Sequence, residues 1–306
     1  MYFLTEEERQ KLLKGLLPKS RSLEIASELR GWNWHEAPLE PLYEVKLALY
    51  EIAGKYCSSG RDVYLRRVQG IKSFPNKDML MGSIFHEVLS EILVTAKRLI
   101  YTCGVANYEA IIGGLEKSNY GPLERRREHF TEEEFNELMK RCEAIHRFEK
   151  ARLASRIQEI LAKQPFVGED SLVALAVPIV VEQKLDGSFL GLSQMLSADA
   201  LVLPEPMIMD LKFGEPRKFH RLSTTGYALV MESIYEYPVN LGCIVYLQFR
   251  GDRMVLSKDI HIIDDELRQW FIEERDEKMR MIYEEIDPGP SEDCYDTCPF
   301  RRDCGA

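Results

Sequence analysis

No stretch of about 18 uninterrupted apolar residues occurs in the chain, and Met1 to Lys19 mixes charges with leucines instead of forming a basic, apolar and small-residue leader. Neither a membrane span nor a secretory signal is expected, so the sequence reads as a cytoplasmic protein with no membrane partner. Basic charge is also scarce: 40 Lys and Arg face 50 Asp and Glu, a formal net charge of -10. A protein that coats nucleic acid by neutralising phosphates commonly has the opposite balance. Broad, sequence-independent coating of DNA is therefore disfavoured, whereas contact over a limited strip, with metal ions held among carboxylates, is compatible with the charge. Cys-x2-Cys pairs, internal repeats, low-complexity tracts and heptad runs are likewise missing.

At 306 residues and 45% hydrophobic content the chain can bury a sizeable core, as one large domain or a domain with a helical insertion. Thr5 followed by Glu8 forms a capping-box pattern that opens a short helix expected to stop at Pro18. A second helix is expected from Leu42 to Tyr56, delivering Cys57 at its end. From Gly82 to Tyr101, Ile84, Phe85, Val88, Leu89, Ile92, Leu93 and Ala96 recur at helical spacing, which leaves Ser83, His86, Glu87 and Ser90 on the opposite side. A long helix is expected from Thr131 to Lys163, approached by Arg125, Arg126 and Arg127 and carrying Lys140, Arg141, Arg147, Lys150, Arg152 and Arg156, the densest basic stretch of the chain.

After Pro165 the pattern turns to strands at Leu172–Gln183, Phe189–Leu192, Ala198–Leu203, Met207–Phe213, Leu241–Phe249 and Met254–Leu256. A helix from about His220 to Tyr237 interrupts them, and a last helix, Asp264 to Ile286, ends at Asp287-Pro288-Gly289-Pro290.

Asp199 and the pair Asp210 and Lys212 carry the chemistry. Side chains alternate along a strand, so Asp210 and Lys212 project from one face. If the chain reverses through Leu203-Pro204-Glu205-Pro206 as an even-length loop, Asp199 lies opposite Asp210 on that face. Two carboxylates and an ammonium then converge, a grouping suited to phosphodiester hydrolysis: carboxylate oxygens hold Mg or Mn, and Lys212 orients the attacking water or stabilises the transferring phosphoryl group. A surface hairpin with two acids and a lysine is the plainer reading. The apolar flanks oppose it, because buried unpaired charge is costly. Glu182 is a candidate third acid or a strand-end surface residue. Ser223 and Tyr227 share one face of the following helix, where Tyr227 equally fits a core position.

Seven cysteines are present, three of them, Cys294, Cys298 and Cys304, in a short Pro- and Asp-rich tail with too few apolar residues for a core of its own. Three closely spaced thiolates are typical metal ligands and need a fourth. Cys57, in a loop-like position before Ser58-Ser59-Gly60, is the best donor; Cys103, Cys142 and Cys243 read as buried packing residues. The spacing favours an iron-sulfur cluster, with zinc as the alternative.

His86 within Gly82-Ser83-Ile84-Phe85-His86-Glu87, Asp199, Asp210-Leu211-Lys212 and Tyr227 together resemble the successive motifs of RecB-like nucleases of the PD-D/E-x-K fold. The Cys57 and tail-cysteine frame resembles the iron-sulfur branch of that fold. Tyr56-Cys57-Ser58-Ser59-Gly60-Arg61-Asp62-Val63-Tyr64-Leu65 is similar to the CRISPR-associated family-four nucleases of the archaeal Csa-one subfamily, and the match runs from about residue 45 to the end.

The resemblance implies an α/β fold with a mixed central sheet flanked by helices. Its expected divisions are an N-terminal helical segment (1–56), a nuclease core (57–102 and 166–286), a helical insertion (103–165) and a cysteine tail (287–306). It implies metal binding by His86, Asp199, Asp210 and the Leu211 carbonyl, catalysis by Asp199, Asp210, Lys212 and Glu182, DNA contact by Tyr227 and Ser223, and a [4Fe-4S] cluster on Cys57, Cys294, Cys298 and Cys304. The implied activity is cleavage of DNA, mainly single-stranded, to trim prespacer ends for the CRISPR integrase subunits. A weak end-binding or scaffolding subunit and a DNA-repair nuclease are the alternatives. The chain departs from the family pattern at Ser223, where Gln is usual, and at Leu196, where Gly is usual.

Overall fold

The computed structural model describes residues 1–117, 120–202, 206–292 and 294–305. The chain begins with α1 (Glu6–Lys11), a π-helical turn (Leu12–Leu16) and α2 (Leu17–Ser22). Thr5 caps α1 through the reciprocal box with Glu8, as expected. The helix does not stop at Pro18. Leu17 N–H donates to Leu12, five residues back, and this wider turn accommodates a proline that lacks an N–H and crowds the carbonyl four residues before it.

The expected Leu42–Tyr56 helix shrinks to α3 (Leu49–Ala53). Leu47 is extended because it pairs with a distant segment, its N–H donating to Gly191 O at 3.0 Å and its carbonyl accepting from Ser193 at 2.8 Å. After α4 (Arg61–Arg67) comes α5 (Lys77–Cys103), whose predicted apolar stripe is buried from Ile84 to Ile100. By length and composition α5 could cross a membrane; here its apolar side chains pack into the main core beside the sheet.

Between α5 and the sheet come α6 (Tyr108–Leu115), α7 (Gly121–Glu124) and α8 (Glu132–Lys163), the last capped by Thr131 with Glu134. The basic residues of this stretch are mostly engaged within the protein. Arg125 and Arg126 pair with Glu87, Arg127 with Glu132, Arg141 with Glu137 and Lys150 with Glu116, while Arg152 donates to Phe3 O and Arg156 to Ala176 O. The expected strand Leu172–Gln183 divides into α9 (Glu169–Ala176) and β1 (Ile179–Leu185), with Pro178 between them. Phe189 lies in a 3-10 turn instead of a strand.

The sheet is completed by β2 (Leu196–Val202), β3 (Met207–Phe213), β4 (Leu241–Arg250) and β5 (Arg253–Ile262), in sequence order across five strands. All pairs are antiparallel except β3 with β4, which run parallel because α10 (Arg221–Tyr235) makes the crossover between them. The chain then forms α11 (Asp265–Tyr283) and ends in α12 (Arg301–Cys304). The mixed α/β class and flanking helices are thus as expected.

Alternation along β2 and β3 separates two cores. Ala200, Met207, Met209 and Leu211 face α5 and α8, joined by Met1, Tyr2 and Phe3; Leu201 and Ile208 face the side of α10 and α11, joined by Leu29, Leu47, Leu49 and Ile52. Glu232 locks the second layer. Its carboxylate accepts from Arg268 at 2.7 and 2.9 Å, Arg30 at 2.9 Å, and the N–H groups of Gly31 and Val239 at 2.9 Å. Gly31 is required there, since a Cβ would fall 2.1 Å from the Leu229 carbonyl oxygen.

Candidate active site

The β2–β3 ladder is registered Val202 to Met207 and Ala200 to Met209, which sets Asp199 opposite Asp210. Of the connecting loop, 203–205 lies outside the described residues; the register on either side is that of the even-length reversal. The ladder stops at Ala200. One residue further on, Asp199 Oδ2 accepts the Leu211 N–H at 2.8 Å, so a carboxylate replaces a strand partner and opens a fork between β2 and β3. In extended backbone the N–H and C=O of one residue point the same way. The Leu211 carbonyl therefore faces this fork beside Asp199.

On β3, Lys212 Nζ lies 2.9 Å from Asp210 Oδ2. Asp210 is buried, yet that oxygen has no well-directed hydrogen bond. Such an atom in a native interior calls for a partner. His86, from the solvent-side face of α5, reaches the fork with Nδ1 3.6 Å from Asp199 Oδ2 and its ring edge-on to Phe213. Burial raises the Asp199 carboxyl to about 6, and Asp210 pushes the same way against the pull of His86 and Lys212. Burial alone would lower the Lys212 ammonium, but Asp210 and Asp199 hold it above its usual value. The three side chains thus share one electrostatic pocket.

Glu182 occupies the β1 position opposite Asp199, where the ladder skips a pair and the backbone takes a φ of 53°. A non-glycine residue at positive φ within a strand is strained, a feature concentrated at functional sites. Its carboxylate is turned outward, accepting from Ser197 Oγ at 2.9 Å and Ser90 Oγ at 3.3 Å. Tyr227 donates to Ser197 O at 2.6 Å, and burial pushes its phenol up, with Asp210, Asp199 and Glu182 adding to the effect. Ser223 is buried one turn earlier on α10. Tyr2 approaches the same acids, its phenol raised by burial first and then by Asp199, Asp210 and Glu182.

Among the described residues, no three His, Cys, Asp or Glu side chains stand close enough together to hold an ion as they are placed. The donor set nevertheless suits a hard divalent cation, with a buried Asp210 carboxylate whose Oδ2 is met by Lys212, a raised carboxyl on Asp199, an imidazole beside it and a carbonyl aimed into the fork.

A second set of side chains, assembled from distant parts of the chain, lies here. His220, buried just ahead of α10, accepts or donates at both ring nitrogens, 2.9 Å from Tyr56 OH and 3.1 Å from Tyr246 OH. Tyr246 pairs in register with Lys212. These residues are separated by 164 and 26 positions, beyond any local periodicity; the even register of Tyr246 with Lys212 was the available signal.

The tail returns to residue 57. Ser58 and Ser291 hydroxyls are 2.6 Å apart, Ser59 Oγ donates to Gly289 O at 2.9 Å, and Arg61 pairs with Asp287 and donates to Cys304 O at 2.8 Å. Burial pushes the Cys298 thiol up, and Cys294 and Cys57 are near enough to push it further. Arg61 also lies 3.5 Å from Cys304 Sγ. With no core of its own, the tail is anchored on α4 and α11: Phe300 is 1% exposed against Val63, Tyr64, Leu65 and Met281. Cys57 and Cys294 thus lie within electrostatic reach of Cys298, and Cys304 lies beside Arg61 at the start of α4, but as placed no three of these thiols stand close enough together to share an ion.

A five-stranded mixed sheet with two aspartates and a lysine at a forked strand pair defines an α/β protein with an acid–lysine centre. The chain belongs to the CRISPR-associated exonuclease Csa1 family, whose model matches residues 1–306. It is similar to the CRISPR-associated exonuclease Csa1 of Saccharolobus solfataricus, 31% identical over 296 residues covering 94% of each chain. It is also similar to the protein of that name from Thermoproteus tenax, 29% identical over 301 residues covering 98% of this chain and 99% of the relative.

Proposed function

We propose that this chain is a metal-dependent DNA nuclease that trims prespacer ends, mainly single-stranded, during CRISPR spacer acquisition, working beside the integrase subunits in the cytoplasm. Family membership supports a CRISPR-linked exonuclease. The observation that carries the metal chemistry is the fork at Asp199, where a raised carboxyl stands across an open ladder from a buried Asp210 whose Oδ2 is met by the Lys212 ammonium alone among the described residues.

Asp199, Asp210, His86 and the Leu211 carbonyl would hold Mg or Mn. When bound, such an ion supplies a Lewis acid that stabilises charge developing on the phosphate and lowers the pKa of an attacking water. Lys212, paired with Asp210, would orient the attacking water and neutralise charge on the transferring phosphoryl oxygens. Glu182, opposite Asp199 on β1, would be the further acid of the site. Tyr227, which fixes β2 through Ser197 O, and Ser223 one turn earlier on α10 would line the DNA side of the site.

The tail cysteines with Cys57 would hold a [4Fe-4S] cluster whose role is structural, clamping residue 57 to the C-terminal tail, so that cluster binding contributes to folding. Within this reading the fold is that of RecB-like nucleases.

The test is end-labelled single-stranded DNA with Mn under anaerobic conditions, using full-length protein assayed for iron and sulfide. Manganese-dependent shortening that disappears in Asp210→Ala and Lys212→Ala is expected. Equal cutting by the variants would overturn the assignment.

A further inference from the structure

Beside the acid–lysine pair lies a set of aromatic side chains with no part in the chemistry above. The Tyr56 ring is 50% exposed, although its hydroxyl is pinned by His220. Phe219 meets it edge-on at 5.1 Å, and Tyr295 from the tail stands 6.4 Å away and 38% exposed. Lys212, Asp210 and the exposed Arg217 all lie within electrostatic reach of Tyr56.

Large aromatic rings left half in water gain little from that position unless something covers them. His220 explains why Tyr56 stays there: hydrogen-bonded at both nitrogens between Tyr56 and Tyr246, it ties the ring to the strand that pairs with Lys212. A fixed aromatic face with a guanidinium beside it is the arrangement that proteins use for unpaired nucleobases, whose π-faces are accessible only when they are not already stacked in a duplex.

Resting on the nuclease reading, we infer that Tyr56 and Tyr295 form a nucleobase platform that stacks a base of the single strand next to the phosphate presented to Lys212, with Arg217 on the neighbouring phosphate. The platform selects single-stranded ends. It also gives the cysteine tail a direct part in substrate handling, because Tyr295 is one residue from Cys294 and Tyr56 one from Cys57.

The experiment measures binding of a fluorescent single-stranded oligonucleotide to the full-length protein in EDTA, with one abasic nucleotide walked along the strand. For the unchanged protein, one abasic position near the end weakens binding about tenfold. Tyr56→Ala and Tyr295→Ala each bind the intact strand about tenfold more weakly, and Tyr56→Ala no longer responds to that abasic position; Tyr56→Phe, which keeps the ring, stays within about twofold. Equal binding at every abasic position, which needs no variant to fold, overturns the platform, as does unchanged binding by both alanine variants. Absence of single-strand binding overturns it too. Loss of manganese-dependent cutting with the abasic pattern intact would instead remove the nuclease reading and leave the platform standing.

Discussion

Two charged clusters, one at Glu232 and one at Asp199 and Asp210, are finished differently. At Glu232 every oxygen is met: Arg268, Arg30 and two backbone N–H groups converge on a carboxylate that is 0% exposed. Burial would raise that carboxyl, but Arg268 and the backbone donors hold it below its usual value. At Asp199 and Asp210 the balance is left open, with one carboxyl raised to about 6 and one buried oxygen given only the proximity of Lys212. A fully satisfied buried network rigidifies; an under-satisfied one persists where a ligand completes it.

Substitutions at the two clusters should therefore separate activity from stability. The largest expected effect is at the site: Asp210→Asn lowers manganese-dependent cleavage by about 10²–10³-fold while changing unfolding free energy by less than about 1 kcal/mol, because Lys212 is partly solvated. Chevron or denaturant midpoints alongside initial rates check both halves. Next comes the scaffold, where Glu232→Ala leaves two buried cations unpaired and costs about 3–5 kcal/mol by denaturant unfolding. Its folded fraction should cut at the unchanged rate.

Metal itself sharpens the contrast. Saturating Mn at about 100 times its dissociation constant should stabilise the unchanged protein by about 2.7 kcal/mol and Asp210→Asn far less. The Asp199 carboxyl keeps its proton below about 6, so an ion must displace it there; apparent Mn affinity is expected to fall as pH drops through that value, readable by titration calorimetry. Smallest and most local is the tail. Cys298→Ala should speed amide exchange around Phe300 and lower iron content, with α10 protection unchanged; full iron and unaltered exchange would contradict a clamp at residue 57.

Much of the acid–lysine site was legible because strand alternation is strict: Asp210 and Lys212 had to share a face, and the four-residue connection fixed Asp199 opposite. The stripes of α5 and α8 were equally plain. Failures came where distant contacts override local pattern. Leu42–Tyr56 carries helical apolar spacing, yet Leu47 is claimed by Leu192. Leu172–Gln183 is a continuous apolar run in which periodicity cannot separate helix from strand; Glu169 and Asp170, acids in a first helical turn, were the overlooked marker. The basic stretch that leads into and along α8 is plain in the sequence, but most of its guanidinium groups are committed to glutamates and carbonyls that no spacing rule reveals. His220 was invisible as a site residue because both its partners come from other elements.

Manganese binding to the full-length protein, followed by electron paramagnetic resonance with Asp210→Asn in parallel, tests the open cluster most directly. Tight binding to the unchanged chain, lost by at least about tenfold in the variant while Glu232→Gln retains it in its folded fraction, is the predicted result. Equal Mn affinity in Asp210→Asn and the unchanged chain would contradict it.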